Sequence, residues 1–147
     1  MKLINREADY AVKALLTMAG RGKETTPVTG LTGTLGLPRP YLRKIMQTLA
    51  REGVVRSSKG RGGGFVLARP AGRIAVADVI RAFQGRINLH DCLFKKTLCP
   101  DVAACPLRKS IRRLEKKLIR DLEALTVATI LKESTGRPPA RTKGGHP

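Results

Sequence analysis

Between Leu42 and Leu49 the chain spaces Leu42, Ile45, Met46 and Leu49 at i, i+3, i+4 and i+7, which puts all four on one side of an α-helix. The opposite side carries Tyr41, Arg43, Lys44, Gln47, Thr48 and Arg51. Pro40 suits the first helical position, where its missing N–H costs nothing, and Gly53 stops the helix. A helix of this kind must cover its apolar stripe and leaves a cationic face for something else. The residues directly after it narrow the choice further. Val54–Ser58 and Gly64–Ala68 read as two β-strands, joined by Lys59-Gly-Arg-Gly-Gly63. Glycines allow the positive-φ turn of a tight hairpin, so Lys59 and Arg61 project from its tip.

The segments around this pair complete a pattern. Ala8, Ala11, Val12, Leu15 and Ala19 predict an amphipathic helix from Asn5 to Gly20. Thr25–Gly36 stands where a short second helix is expected, although its glycines and threonines are poor helix formers. Helix, short helix, basic-faced helix and glycine-tipped hairpin is the order of a winged helix-turn-helix. Val76, Val79, Ile80 and Phe83 mark a further short helix stopped near Gly85. Pro106 opens a long helix whose Leu107, Ile111, Leu114, Leu118, Leu122 and Leu125 form a seam that favours pairing with another helix or subunit. The fold class is thus mainly α with a small β-hairpin. Residues 1–85 form the DNA-binding unit, 86–106 a cysteine-containing loop, 107–133 a dimerisation helix, and 134–147 a disordered tail rich in Pro, Gly and Lys/Arg.

Charge identifies the partner class. The 29 Lys and Arg residues against 11 Asp and Glu give a formal net charge of +18. Clustered cations are rewarded by phosphate neutralisation and counterion release, so a polyanion is expected. Seven Lys or Arg lie between Arg39 and Arg61, with only Glu52 opposing them. In a winged helix the leading end of the third helix enters the major groove. Arg39, Tyr41, Arg43, Lys44 and Gln47 are therefore the candidate readers, with Gln47 suited to adenine and the arginines to guanine. Lys59 and Arg61 on the wing are placed for phosphate or minor-groove contact. Any one of these residues alone could equally belong to a solvated basic face; their order along the chain favours double-stranded DNA.

Other classes fit poorly. Scarce aromatics argue against a base-stacking single-strand platform. The only histidines are His90 and His146, and no nucleophile–base–orienter set is recognisable, which argues against an enzyme. No apolar run approaches membrane-spanning length, and charges interrupt the start of the chain, so a reducing cytoplasm is the expected location.

Three cysteines, Cys92, Cys99 and Cys105, fall in one 14-residue stretch. An odd number cannot close into disulfides within one chain. Clustered thiolates without secretory features read better as metal or iron–sulfur ligands, although C-x6-C-x5-C matches neither zinc-finger pairs nor ferredoxin spacing. Three reduced thiols remain the plain alternative. Cys105 precedes Pro106 at the start of the long helix, where free backbone N–H groups attract an anion, and Lys95, Lys96, Arg108 and Lys109 reinforce this.

Taken together these motifs resemble the Rrf-two family of bacterial transcription regulators, of the IscR and NsrR type. The resemblance spans about Met1 to Lys132. It rests on Met1-Lys-Leu with Asp9-Tyr-Ala-Val12, on Leu37-Pro-Arg-Pro-Tyr-Leu42, on the wing Gly60-Arg-Gly-Gly-Gly-Phe65-Val-Leu, on Ile74-Ala-Val-Ala-Asp-Val-Ile80, and on the three cysteines before the long helix. It implies a homodimer paired through the long helices and reading a roughly two-fold symmetric operator as a repressor. It also implies an iron–sulfur cluster, 2Fe–2S or 4Fe–4S, on Cys92, Cys99 and Cys105, which senses nitric oxide, redox state or iron–sulfur status. For the fourth ligand the position matching the IscR-type histidine is Arg108, which cannot serve. Asp9 matches the aspartate that NsrR-type members supply from the partner subunit, with Glu7 and His90 as other donors. An ordinary helix-surface acid is the competing reading of Asp9. A zinc-binding or metal-free nucleic-acid-binding protein with structural or redox-active thiols is the alternative to the cluster-gated regulator.

Overall fold

A computed structural model describes residues 3–60, 62–89 and 105–135 of the chain. Arg61, His90, Cys92, Cys99 and positions 136–147 of the expected tail lie outside the described residues.

Helix α1 (Arg6–Gly20) starts at Asn5, whose side chain accepts a hydrogen bond from the Ala8 N–H at 2.8 Å. Such a cap satisfies one of the free donors of the first turn, for about 1 kcal/mol. The alanine-rich face of α1 lets neighbouring elements approach closely, and Ala8, Ala11, Ala14 and Leu15 are fully buried. Helix α2 (Val28–Leu35) forms despite Gly30 and Gly33. Its Leu31 is fully buried, and Thr32 and Thr34 turn their hydroxyls back onto the Thr29 and Gly30 carbonyls at 2.7 and 3.0 Å. Tertiary burial thus overrides weak intrinsic propensity.

Helix α3 (Arg39–Arg51) begins one residue before Pro40, which still lies in the first turn where no intrahelical N–H bond is lost. Its stripe Leu42, Ile45, Met46 and Leu49 is buried against α1 and α2. Strands β1 (Val55–Ser58) and β2 (Gly64–Leu67) pair antiparallel, Val55 opposite Leu67 and Ser58 opposite Gly64. Thr26, just before α2, adds a bridge to Phe65: its N–H donates to the Phe65 carbonyl and its carbonyl accepts from the Phe65 N–H, both at 2.9 Å. The hairpin is thereby fixed to the start of α2.

After a short 3-10 turn (Ala71–Arg73), helix α4 (Val76–Gln84) packs on α1. Helix α5 (Pro106–Ala124) and helix α6 (Val127–Ser134) follow. The 107–133 segment, expected as one helix, is therefore two. Thr126 accepts from the Thr129 N–H as the N-cap of α6. The break is held by the Ala75–Thr126 bridge, with Val76 N–H donating to Leu125 O and Val127 N–H to Ile74 O, both at 2.9 Å. This turn sends α6 back onto α1, where Val127 joins the main core. A second, smaller core between α4 and α5 contains Val76, Ala77, Ile80, Ile87 and Leu122. An ion pair between Arg81 and Glu123 at 2.6 Å borders it.

Candidate nucleic-acid interface

A groove opens between α3 and the hairpin, floored by Pro27, Val28 and Thr29 at the start of α2. Arg39, Arg43, Lys44, Gln47 and Arg51 line one wall, and Ser57, Ser58, Lys59 and Gly60 the other. The helical stripe explains the first wall: burying Leu42, Ile45, Met46 and Leu49 turns the cationic side outward. Two observations explain the second. A Cβ on Gly64 would lie 2.2 Å from the Thr26 carbonyl oxygen, so only glycine lets β2 come this close to the α2 entry. At the tip Gly60 and Gly62 have φ of 103° and 75°, the left-handed region that favours glycine.

Among the described residues five cations line this groove, namely Arg39, Arg43, Lys44, Arg51 and Lys59, and no acidic side chain does. None of the five takes part in an ion pair among the described residues. An uncompensated concentration of this kind attracts phosphate, and Ser57, Ser58 and Thr29 add neutral hydroxyl donors. Gln47, between Arg43 and Arg51 on the exposed face, adds the amide whose donor and acceptor can match adenine. Arg51, Thr29, Ser57 and Ser58 are not among the contact residues expected from the sequence. Arg51 follows Gln47 by four residues and shares its face, which is a usable signal; the serines become visible only once the strand register is known.

The remaining candidates lie elsewhere. Tyr41, grouped with the base readers in the sequence reading, does not line the groove. Two residues on from Arg39 is about 200° round a helix, and its ring packs edge-on against Tyr10 of α1, centroids 6.1 Å apart. Desolvation by burial, followed by the Glu7 charge, raises the Tyr41 phenol above its ordinary pKa. Asp9 lies exposed on α1 and is ion-paired with Lys13 at 2.7 Å, while Lys13 also sits 5.5 Å from the Tyr10 ring centroid. Cys105 is half-buried at the N-cap of α5, and its side chain makes no capping bond. Among the described residues no three potential ligands gather to hold a metal, and Cys92 and Cys99 lie outside those residues.

Comparison with known proteins agrees with this architecture. Residues 4–133 match the Rrf2 family, described as "Iron-dependent Transcriptional regulator". Protein aau3 of Rhizobium meliloti (strain 1021) is 28% identical over 130 residues, covering 88% of this chain and 84% of that protein. Among solved structures, IscR of T. potens superposes with a TM-score of 0.69 at 26% identity, covering 99% of this chain and 94% of that one. CymR (YrzC), the global cysteine regulator of B. subtilis, shares the fold with a TM-score of 0.77 at 22% identity, covering 90% of this chain and 98% of its own. This chain belongs to the Rrf2 family of winged-helix DNA-binding transcription regulators, and it is not an enzyme.

Proposed function

Starting from that membership, we propose that the protein is a homodimeric repressor. It reads a two-fold symmetric operator through the α3–hairpin groove, and an iron–sulfur cluster held by its cysteines controls its affinity. The observation that carries the DNA part is the groove that, among the described residues, gathers five cations and a glutamine with no acid. Gln47 and Arg43, on successive turns of α3, read base edges; Arg39, Lys44, Arg51 and Lys59 hold phosphates. Arg61, outside the described residues, keeps its assignment to the wing's phosphate or minor-groove contact.

Pairing through α5 is supported by its exposed seam. Leu107 and Leu114 are 57% and 60% exposed, while the half-buried Leu118 and Ile119 lean on the small α4–α5 core. A second copy would cover the exposed part.

The donor set suits an iron–sulfur cluster. Three thiolates supply soft ligands, and Cys105 begins a 19-residue helix whose free N–H groups favour an anion. Cys92, Cys99 and Cys105 would hold the cluster, and Asp9 of the partner subunit would complete it after releasing Lys13. When bound, the cluster supplies redox- and nitric-oxide-sensitive chemistry. Cys105 is joined through α5 to Leu125, which accepts the Val76 N–H bond at the start of α4. A change at Cys105 can therefore be transmitted to the contact between α5 and the DNA-reading unit.

Anaerobic purification tests this. A brown protein with stoichiometric iron and sulfide, whose operator affinity changes when the cluster is removed, is the expected result. A colourless protein containing zinc or no metal, with unchanged operator binding, would replace it with the alternative of structural or redox-active thiols.

A further inference from the structure

A second cationic concavity lies away from the α3–hairpin groove, between the end of α4 and the first half of α5. Arg81, Arg86, Arg108, Arg112 and Lys116 line it, with Glu115 as the acid among the described residues. Helical spacing gathers one wall: Arg108, Arg112, Glu115 and Lys116 recur at i, i+4, i+7 and i+8 along α5. Arg86 reaches the other wall as the chain leaves α4 through Gly85, whose φ of 74° favours glycine. Arg81 is ion-paired with Glu123 at 2.6 Å and lies 3.8 Å from Asp78. Glu115 is engaged as well, accepting the Leu89 N–H at 2.7 Å. Arg86, Arg108, Arg112 and Lys116 have no ion pair among the described residues. The Nε–H of Arg108 is buried without an acceptor. A guanidinium N–H that gives up water and finds no acceptor is costly, and four like charges around one hollow repel. An anion that enters the hollow removes both costs.

The lining indicates the class of anion. Guanidinium groups offer paired donors that match the oxygens of a phosphate, and a lysine adds a compact charge. The hollow has a volume of about 570 Å³, within the range of small-molecule sites. No aromatic ring lines it among the described residues, so nothing there stacks a base or other ring. We propose that the α4–α5 hollow binds a compact polyvalent oxyanion of the pyrophosphate class. Arg108 and Arg112, on successive turns of α5, donate to it, and Arg86 and Lys116 supply flanking charge. A single ligand then bridges the exit of α4 and the first half of α5. Helix α4 packs on α1 and α3, so occupancy stiffens the joint between the DNA-reading unit and α5. This site requires neither the cysteines nor a cluster, and it stands apart from the function proposed above.

The test is calorimetric titration of inorganic pyrophosphate into the full-length protein at constant ionic strength. Wild type, Arg108→Gln, Arg112→Gln and Arg43→Gln are compared, with circular dichroism to verify that each is folded. Wild type should bind saturably, and its unfolding temperature should rise with pyrophosphate concentration. Loss of a charge-assisted hydrogen bond should weaken binding about tenfold or more in Arg108→Gln, and by less in the exposed Arg112→Gln. Arg43→Gln, in the α3–hairpin groove, should bind pyrophosphate as wild type does. An equal loss in Arg43→Gln would place the ion in the DNA groove and overturn the proposal. So would the absence of saturable binding, or wild-type affinity in both hollow variants. If Arg108→Gln does not fold, the Arg112→Gln affinity decides. Nucleic acid is the other source of the same phosphate chemistry. Should the hollow variants keep their pyrophosphate affinity but lower the salt slope for a scrambled duplex by about one unit each, the hollow is part of the DNA path and the free-anion site is refuted.

Discussion

Helices α3 and α5 both carry an apolar stripe opposite a basic face, but only one of them has its stripe covered by its own chain. In α3, Leu42, Ile45, Met46 and Leu49 are at most 1% exposed. In α5 only Leu122 is buried, at 8%, while Leu107 and Leu114 stand 57% and 60% exposed. The difference follows from what surrounds them. Helix α3 is packed by α1, α2, α4 and β1, whereas the main packing of α5 among the described residues is against α4. The DNA-reading unit is therefore complete within one chain, whereas α5 keeps an exposed apolar surface that the proposed dimer would cover. In the proposed dimer folding and assembly fall to different helices, so mutations in the two should be separable.

The largest effect is expected in the completed stripe. Leu49→Ala should cost about 2–5 kcal/mol of unfolding free energy, read by urea denaturation. A cost below about 1 kcal/mol would mean that the α3 stripe is not the anchor of the domain. Next come the exposed sides of the groove. Gln47→Ala should weaken operator binding by about 1–3 kcal/mol and leave a scrambled duplex almost unaffected. Equal losses on both duplexes would reassign Gln47 to backbone contact. Lys59→Ala should act on both duplexes alike and reduce the salt slope by about one unit; an unchanged slope would remove Lys59 from the phosphate contacts. The smallest change belongs to Tyr41, whose ring packs on Tyr10. Tyr41→Phe should leave sequence preference unaltered and stability within about 0.5 kcal/mol. A relaxed preference would return Tyr41 to the reading face.

Particular residues show what the sequence made legible. The α3 stripe was readable because 3.6-residue spacing fixes which side chains share a face, and the hairpin because its glycines have few other uses. The second helix was expected from its place in the order and not from its residues, since burial of Leu31 and the turned-back threonine hydroxyls are tertiary and local effects that propensity does not capture. The break after α5 was missed because the leucine spacing runs through Leu125, although Thr126 is a competent N-cap. The packing of Tyr41 was not legible, because an aromatic at the flank of a stripe can face either way and only the fold brings Tyr10 against it. The cationic hollow around Arg108 was only half visible. Arg108 and Lys109 were noted as neighbours of Cys105, but Arg86 is brought to Arg108 by the packing of α4 onto α5.

The central claim is that a self-sufficient DNA-reading unit is joined to a helix completed by a second copy. Sedimentation velocity on wild type and Leu114→Glu tests it most directly, because Leu114 is the most exposed large apolar residue among those described and belongs to neither core. The expected result is a dimeric wild type and a monomeric Leu114→Glu with undiminished helical content and unchanged thermal unfolding of the winged helix. A variant that still sediments as a dimer, or that loses the winged helix along with its partner, would contradict it.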